Sequence, residues 1–303
     1  MNIPLTHPPL GEAASKFLAA KHRAFIGGKW VDAISGKTFD TFPDVDKVAF
    51  TGSGEVGRLI IQAACGNLKK VSLELGGKSP VIIFPDADLS VAAPGAAKAI
   101  FTNSGQVCAA GSRLYAHTRV FDQIIAGVAA EARKIRIGHA LSDGTQMGPL
   151  VSKEQLERVA GYLDQGEHDG ATIVTGGNRI GNEGYFIEPT ILTDTRPEMS
   201  VIREEIFGPV LCAMRFEDDD LDRIAKEANR TTYGLAGSVW TRDLSTAHQM
   251  VRKIRAGMIG VNNHGSIDPA LPFGGFRQSG WGREKGGDVF DLYTEVKSVV
   301  MSL

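Results

Sequence analysis

The chain has 303 residues, 43% hydrophobic and 22% charged, which suits one large domain or two ordinary ones around a real core and excludes general disorder. With 33 basic and 35 acidic residues the net charge is -2, so no basic surplus exists to neutralise phosphates, and nucleic acid is not expected as a partner. Cys65, Cys108 and Cys212 are far apart and none of the seven histidines falls in an HxxxH or HExxH pattern, so neither a disulfide framework nor a metal site is expected. No apolar run reaches membrane-spanning length, so a membrane is not expected as a partner either, and the first twenty residues lack the charged start and apolar core of a signal peptide. A reduced, cytoplasmic compartment is the expectation.

In chain order, residues 1–20 read as a loose arm, Phe25–Val31 as a β-hairpin around Gly27-Gly28, and residues 34–37 as a second turn. Val45–Phe50 reads as a strand. It runs into Thr51-Gly52-Ser53-Gly54-Glu55-Val56-Gly57 and an apolar helix through Leu59, Ile60 and Ala63. Val71–Leu75 and Val81–Phe84 are the next strands. A helix is expected to open at Asp86–Leu89 with acidic capping residues, and Pro94-Gly95 leaves the course of its interior open. Helical spacing recurs at Phe121, Ile124, Ile125, Val128, Ala132 and Ile135, and again at Leu156, Val159, Ala160 and Leu163. Strands are expected at 171–174, 186–192, 210–216, 238–240 and 258–261, with a terminal strand at 294–301. This alternation predicts an α/β fold with a mostly parallel sheet.

Three segments have the residue types for chemistry. Gly52, Gly54 and Gly57 form G-x-G-x-x-G between a strand and a helix. There, backbone N–H groups and the helix end suit a pyrophosphate, or the segment is an ordinary glycine-rich turn. On a plain dinucleotide reading Glu74, ending the next strand, would hold ribose hydroxyls. Cys108, between glycine-bearing turns, has the setting of a thiolate nucleophile with its pKa lowered by helix ends and N–H groups, or of a buried structural cysteine. Cys65 and Cys212 lie in apolar contexts and read as buried and structural. Glu204-Glu205 before Phe207 and Gly208-Pro209 could hold a sugar diol beside a flat ring, or form a solvated acidic turn. The glycine-rich stretch 272–284 reads as a loop.

Together, Phe50-Thr51-Gly52-Ser53, Leu73-Glu74-Leu75-Gly76-Gly77-Lys78, Gly105-Gln106-Val107-Cys108, Glu205-Ile206-Phe207-Gly208-Pro209 and Pro272-Phe273-Gly274-Gly275 resemble, in order and spacing, the NAD(P)-dependent aldehyde dehydrogenases. The likeness runs from Pro43 to Leu303, plus the hairpin at 25–42. Stretches 156–162, 241–245 and 280–284 look most like the phenylacetaldehyde dehydrogenase branch. The resemblance implies an aldehyde-dehydrogenase-like fold: residues 1–76 as arm, hairpin and remnant of a Rossmann-like cofactor domain, 77–278 as the catalytic domain, and 279–303 as a C-terminal segment with an oligomerisation strand. It makes Cys108 the nucleophile and moves Glu74 from ribose to general base. Gly52, Ser53, Gly57, Leu75 and Gly76 would lie along the cofactor. Glu205 would hold the nicotinamide ribose with Phe207 beside the ring, and Gln155 and Arg158 are further candidates there. The implied cofactor is NAD, with NADP as the alternative. The implied partners are a small, apolar or aromatic aldehyde such as phenylacetaldehyde, and further copies of the chain in a dimer or tetramer.

The sequence also departs from that pattern. After Phe42 the family has a segment of about 200 residues, a domain's worth, which is missing here. With it go an Asn that completes the oxyanion hole and a Lys that grips the adenosine ribose. Gly54 stands where the family usually has Thr. Two alternatives to the dehydrogenase reading follow: an inactive remnant that assembles with other subunits, or an NAD-independent thiol esterase.

Overall fold

A computed structural model describes residues 45–303 apart from 218, together with strands β1 (Ala24–Ile26) and β2 (Lys29–Val31). The two strands pair antiparallel, Phe25 opposite Trp30, which gives the expected hairpin. The expected arm at 1–20 and the turn at 34–37 lie outside the described residues.

Two further sheets organise the chain. The small one has order β12-β4-β3, from β3 (Lys47–Thr51), β4 (Lys70–Glu74) and β12 (Gly280–Trp281). β3 and β4 are parallel, and β12 runs antiparallel to β4. Helix α1 (Gly54–Ala64) follows β3, with Ser53 as its N-cap accepting from the Val56 N–H at 3.2 Å.

The large sheet has seven strands: β5 (Pro80–Ile83), β6 (Arg113–His117), β7 (Thr172–Thr175), β8 (Thr190–Thr193), β9 (Val210–Phe216), β10 (Ala236–Trp240) and β11 (Met258–Val261). Their order is β11-β10-β5-β6-β9-β8-β7, parallel throughout except for β7. Alternate strand residues face opposite sides. Val81, Ile83, Leu114 and Leu211 pack with α2 (Leu89–Phe101) and α3 (Thr118–Lys134). Ile82, Tyr115, Cys212 and Val239 pack with α4 (Lys153–His168), α6 (Leu221–Ala228) and α7 (Leu244–Lys253). Short α5 (Ser200–Arg203) lies against α4, and α8 (Val289–Tyr293) follows β12. Each aliphatic side chain fully buried here contributes about 1.5–3 kcal/mol.

Helix α2 starts at Leu89, capped by Asp88, within the expected opening, and it continues through Pro94, where its alanine face packs on α3 and Gly95 leaves room for the Trp240 ring. Asp86 instead accepts from the N–H groups of Arg242 and Asp243 and from the Thr241 hydroxyl. The strand expected at 186–192 shrinks to β8 plus a single bridge between Ile187 and Arg179. The terminal strand expected at 294–301 is not formed. Val296, Val299 and Val300 are exposed, and among the described residues no strand lies beside this stretch with which to form a ladder. What anchors this end is Glu295 paired with Lys70, and Lys47 Nζ 4.2 Å from the Tyr293 ring centroid.

Candidate active site

The two sheets meet at Leu75–Ser79, and the candidate residues gather around that link. Glu74 ends β4. Its carbonyl accepts from the Gly52 N–H, and the next N–H, of Leu75, donates to Ser279 O at 2.9 Å. The Ser279 hydroxyl donates to Gly76 O at 2.7 Å and accepts from the Gly234 N–H, so three segments are tied at one side chain. The Glu74 carboxyl is 5% exposed, and neither oxygen has a hydrogen-bond partner among the described residues. A Cβ on Gly274 would lie 2.8 Å from Glu74 Oε1, so the 272–275 loop passes close over the carboxyl. Burial above all, then the Glu284 carboxylate, pushes its pKa up to about 8, against the pull of Arg283.

Cys108 follows three consecutive left-handed residues, Asn103, Ser104 and Gly105, at φ 52°, 56° and 68°. The Ser104 hydroxyl donates to Gly148 O, the Gln106 carbonyl accepts from the Asn103 amide, and Gln106 Oε1 accepts from the Val151 N–H, which together hold this contorted backbone. Gly105 packs directly on the Gly208 carbonyl, so a side chain there has no space. Cys108 and Ala109 are the corner residues of a turn closed by Ala110 N–H to Val107 O at 2.9 Å, and the Cys108 carbonyl rests on Gly77. The expected low thiol pKa is corrected. Burial first, then the carboxylates of Glu205 and Glu74, push it up, and the N–H groups of Ala109 and Cys108 only partly offset them. Cys65 is corrected too, since it is exposed at the end of α1, whereas Cys212 is buried in β9 as expected.

Glu205 reaches the same link from the opposite side. Its Oε1 accepts from the Gly77 N–H at 2.8 Å, and its carboxylate fills the space a Cβ on Gly76 would need. Burial raises its pKa against that N–H and Lys78. Arg158 donates to Glu205 O at 2.8 Å, and Gln155 Nε2 donates to the carbonyls of Ile206 and Phe207. Both side chains thus hold the loop that presents Glu205 and the left-handed Phe207, φ 59°. Phe207 is half exposed, and a cleft runs between it, Gly77, Gly105, Val107, Glu205 and Val210. On the small sheet Gly57 packs on Leu75, where a Cβ would come within 2.8 Å of Leu75 Cδ2, so Gly57 brings α1 onto β4. The structure therefore brings Glu74, Leu75, Gly76, Cys108, Glu205 and Phe207 together, with Gln155 and Arg158 behind them and Gly52, Ser53 and Gly57 at the start of α1.

The sequence profile of the aldehyde dehydrogenase family matches residues 31–299. The chain belongs to that family. It is 48% identical over 268 residues to the mitochondrial aldehyde dehydrogenase of Leishmania tarentolae, covering 88% of this chain and 53% of that protein. It is 46% identical over 271 residues to the phenylacetaldehyde dehydrogenase of Pseudomonas fluorescens, with the same coverage of 88% and 53%. Among solved structures, the NAD+ complex of the Bacillus cereus aldehyde dehydrogenase superposes with a TM-score of 0.82 at 45% identity, over 84% of this chain and 52% of that one. The chain thus spans about half the length of the relatives it matches.

Three residues carry weight that the local sequence did not signal. Lys78 is 1% exposed with no hydrogen-bond partner for its ammonium group among the described residues, and burial pulls its pKa down to about 8. Glu284 bears on Glu74 from the β12 side, and His264 lies against the Cys108 turn. A lone Lys, Glu or His has no periodic signature, and only the packing of distant segments gives these their setting. Among the described residues no group of three or more His, Cys, Asp or Glu side chains could hold a metal ion, and no helix is long and apolar enough to cross a membrane.

Proposed function

We propose that this chain oxidises aldehydes to carboxylic acids with NAD, or NADP as the alternative, and takes apolar or aromatic aldehydes such as phenylacetaldehyde. What carries the reading is the convergence at Gly76–Gly77 of a half-buried thiol, an unpartnered buried carboxyl and a second carboxylate. Orphaned Glu74 oxygens and a glycine pair with no room for Cβ fit a polar ligand that approaches the backbone closely. Glu205 would hold the nicotinamide ribose, Phe207 would stack beside the ring, Leu75 and Gly76 would line its path, and Gly52, Ser53 and Gly57 would carry the pyrophosphate at the start of α1. Gln155 and Arg158 support this by fixing the Glu205–Phe207 backbone. The small apolar side chains of Val107 and Ala109 beside the thiol suit an apolar substrate.

In this reading Cys108, as thiolate, forms a C–S bond to the aldehyde carbon, and the Cys108 N–H is one donor to the resulting oxyanion. NAD, when bound, supplies the acceptor for the hydride that leaves the thiohemiacetal carbon, so the carbon ends as a thioester. Glu74 takes a proton from water, whose oxygen attacks the thioester carbonyl. The C–S bond breaks, the acid leaves and the sulfur departs as thiolate. A Glu74 pKa near 8 makes it a stronger base than an ordinary carboxylate, available in quantity only near and above that pH. A reducing, cytoplasmic setting suits the free thiol. Residues 1–76, 77–278 and 279–303 would then be cofactor-side remnant, catalytic domain and C-terminal segment. The exposed apolar residues of 294–303 favour assembly with a second copy, as dimer or tetramer.

The test follows NADH absorbance with phenylacetaldehyde, alongside NAD titration by calorimetry. Aldehyde-dependent NADH that is lost in Cys108→Ala is the expected result. With the Lys that grips the adenosine ribose missing, NAD is expected to bind at about 1 mM or weaker. NADH formation unaffected by Cys108→Ala, or none from folded protein with any aldehyde, overturns the reading. NAD-independent hydrolysis of an aryl ester that needs Cys108 would put the esterase reading in its place.

A further inference from the structure

We infer that His264 is a positioning residue for the nucleophile turn: it holds the Ala109 carbonyl, and with it the turn on which the Cys108 sulfur is presented. This rests on Cys108 being the nucleophile.

The geometry is a relay of four groups. Trp240 Nε1 lies 3.1 Å from the Ser238 hydroxyl, that hydroxyl lies 2.9 Å from His264 Nδ1, and His264 Nε2 lies 2.8 Å from Ala109 O. The directions follow from what each end can do. The indole N–H only donates and a carbonyl only accepts, so Ser238 accepts from Trp240 and Nε2 carries the proton given to Ala109. The Ser238 hydroxyl proton is then free to go to Nδ1, and the ring is neutral with one defined tautomer. Burial lowers the His264 pKa, in the same sense. A charged ring would turn an N–H toward Ser238 and strand the hydroxyl proton.

The anchor is rigid. Ser238 and Trp240 are buried in β10, which pairs with both β5 and β11. Gly111 leaves just enough room for the ring, since a Cβ there would lie 3.3 Å from His264 Cε1. The peptide between Ala109 and Ala110 is consequently held at both ends, its N–H by Val107 O and its C=O by His264. The peptide before it is fixed by the Cys108 carbonyl against Gly77. With the peptide after Ala109 held at both ends, the turn that carries Cys108 keeps one conformation. Release of the Ala109 carbonyl would free the turn and change how the thiol is placed against Glu205 and Glu74, which push its pKa up.

The test compares two amides of different reach. In His264→Gln the side-chain NH2 reaches the Nε2 position and can still donate to Ala109 O. In His264→Asn it reaches only the Nδ1 position. The readout is iodoacetamide alkylation of Cys108 at pH 8, followed by mass spectrometry of the peptide that carries it, so that Cys65 and Cys212 do not enter. His264→Asn is expected to slow alkylation about tenfold and His264→Gln to stay within about twofold of the parent, with similar thermal unfolding for both. Equal rates for Asn and Gln overturn the positioning role, whether both are fast or both slow. If Cys108 of the parent is not alkylated at all, the nucleophile reading falls and this one with it. If the Asn–Gln split appears but aldehyde oxidation does not, the positioning stands and the proposed function falls.

Discussion

The two larger sheets of this chain are built to different standards. In the seven-stranded sheet β5, β6, β8 and β10 are buried along their whole lengths, with helices on both faces. In the three-stranded sheet β3 has no buried residue, β4 is buried only at Leu73 and Glu74, and α1 leaves Val56 and Leu59 exposed. Cys108 and Glu205 hang from the first sheet and Glu74 from the second. The thiol thus sits on a rigid frame, while the carboxyl opposite it is held by a narrow ribbon and by the β12 strand laid across it. Exposure of the small sheet fits a chain that spans about half the length of its relatives, because a parallel sheet is normally covered on both faces.

The largest effects should come from the large sheet. Ile82→Ala or Leu114→Ala removes a fully buried side chain and should cost about 2–5 kcal/mol by denaturant unfolding, against less than about 1 kcal/mol for Val71→Ala on β4. Equal costs would break the comparison.

Glu74→Gln sharpens it at the junction. The carboxyl titrates near 8 in the fold and near 4.5 when unfolded, so between these values the folded chain keeps a proton that the unfolded chain has lost. Stability should therefore fall as pH rises from about 4.5 to about 8. The variant should remove that slope and gain about 1–3 kcal/mol at pH 9, read as Tm at pH 5 and pH 9. In single turnover it should give a burst of NADH and then stall as thioester, whereas parent turnover climbs with pH toward 8. Loss of the burst as well would place Glu74 before acylation.

Lys78→Met probes the large-sheet side of the link. Burial lowers the Lys78 pKa from 10.5 to about 8, so the unfolded chain holds the extra proton between those values and this group makes stability rise with pH there. Methionine should flatten that rise and add about 1 kcal/mol near neutral pH. It should also push the Glu205 pKa higher, since Lys78 is one of the groups holding it down. A loss of stability at pH 7 would mean that the ammonium group has a partner in solution. The smallest effect belongs to α1: Leu59→Ser, on its exposed face, should change stability by no more than about 0.5 kcal/mol.

Much of this was legible in the sequence because it is local. The helices of 118–134 and 153–168 follow from apolar spacing, and the structure adds His117 and Ser152 as their caps. The parallel sheet follows from alternating strands and helices, and the family from ordered motifs around Glu74, Cys108 and Glu205. Pro94 and the 294–301 stretch could not be decided locally, for one reason: whether proline breaks a helix, or valines form a strand, depends on what lies beside them. Tertiary structure alone decided the site's electrostatics. The sequence marks Cys108 as a thiol between glycines. Its raised pKa comes from burial and from Glu205, 97 residues away, and from Glu74, 34 away. Glu74 owes its basicity to burial and to Glu284, and the Cys108 turn owes its fixed carbonyl to His264, on a loop 155 residues distant from Ala109. A side chain's type is written in the chain, but its proton affinity depends on the dielectric and the charges around it, and these exist only once distant segments have packed.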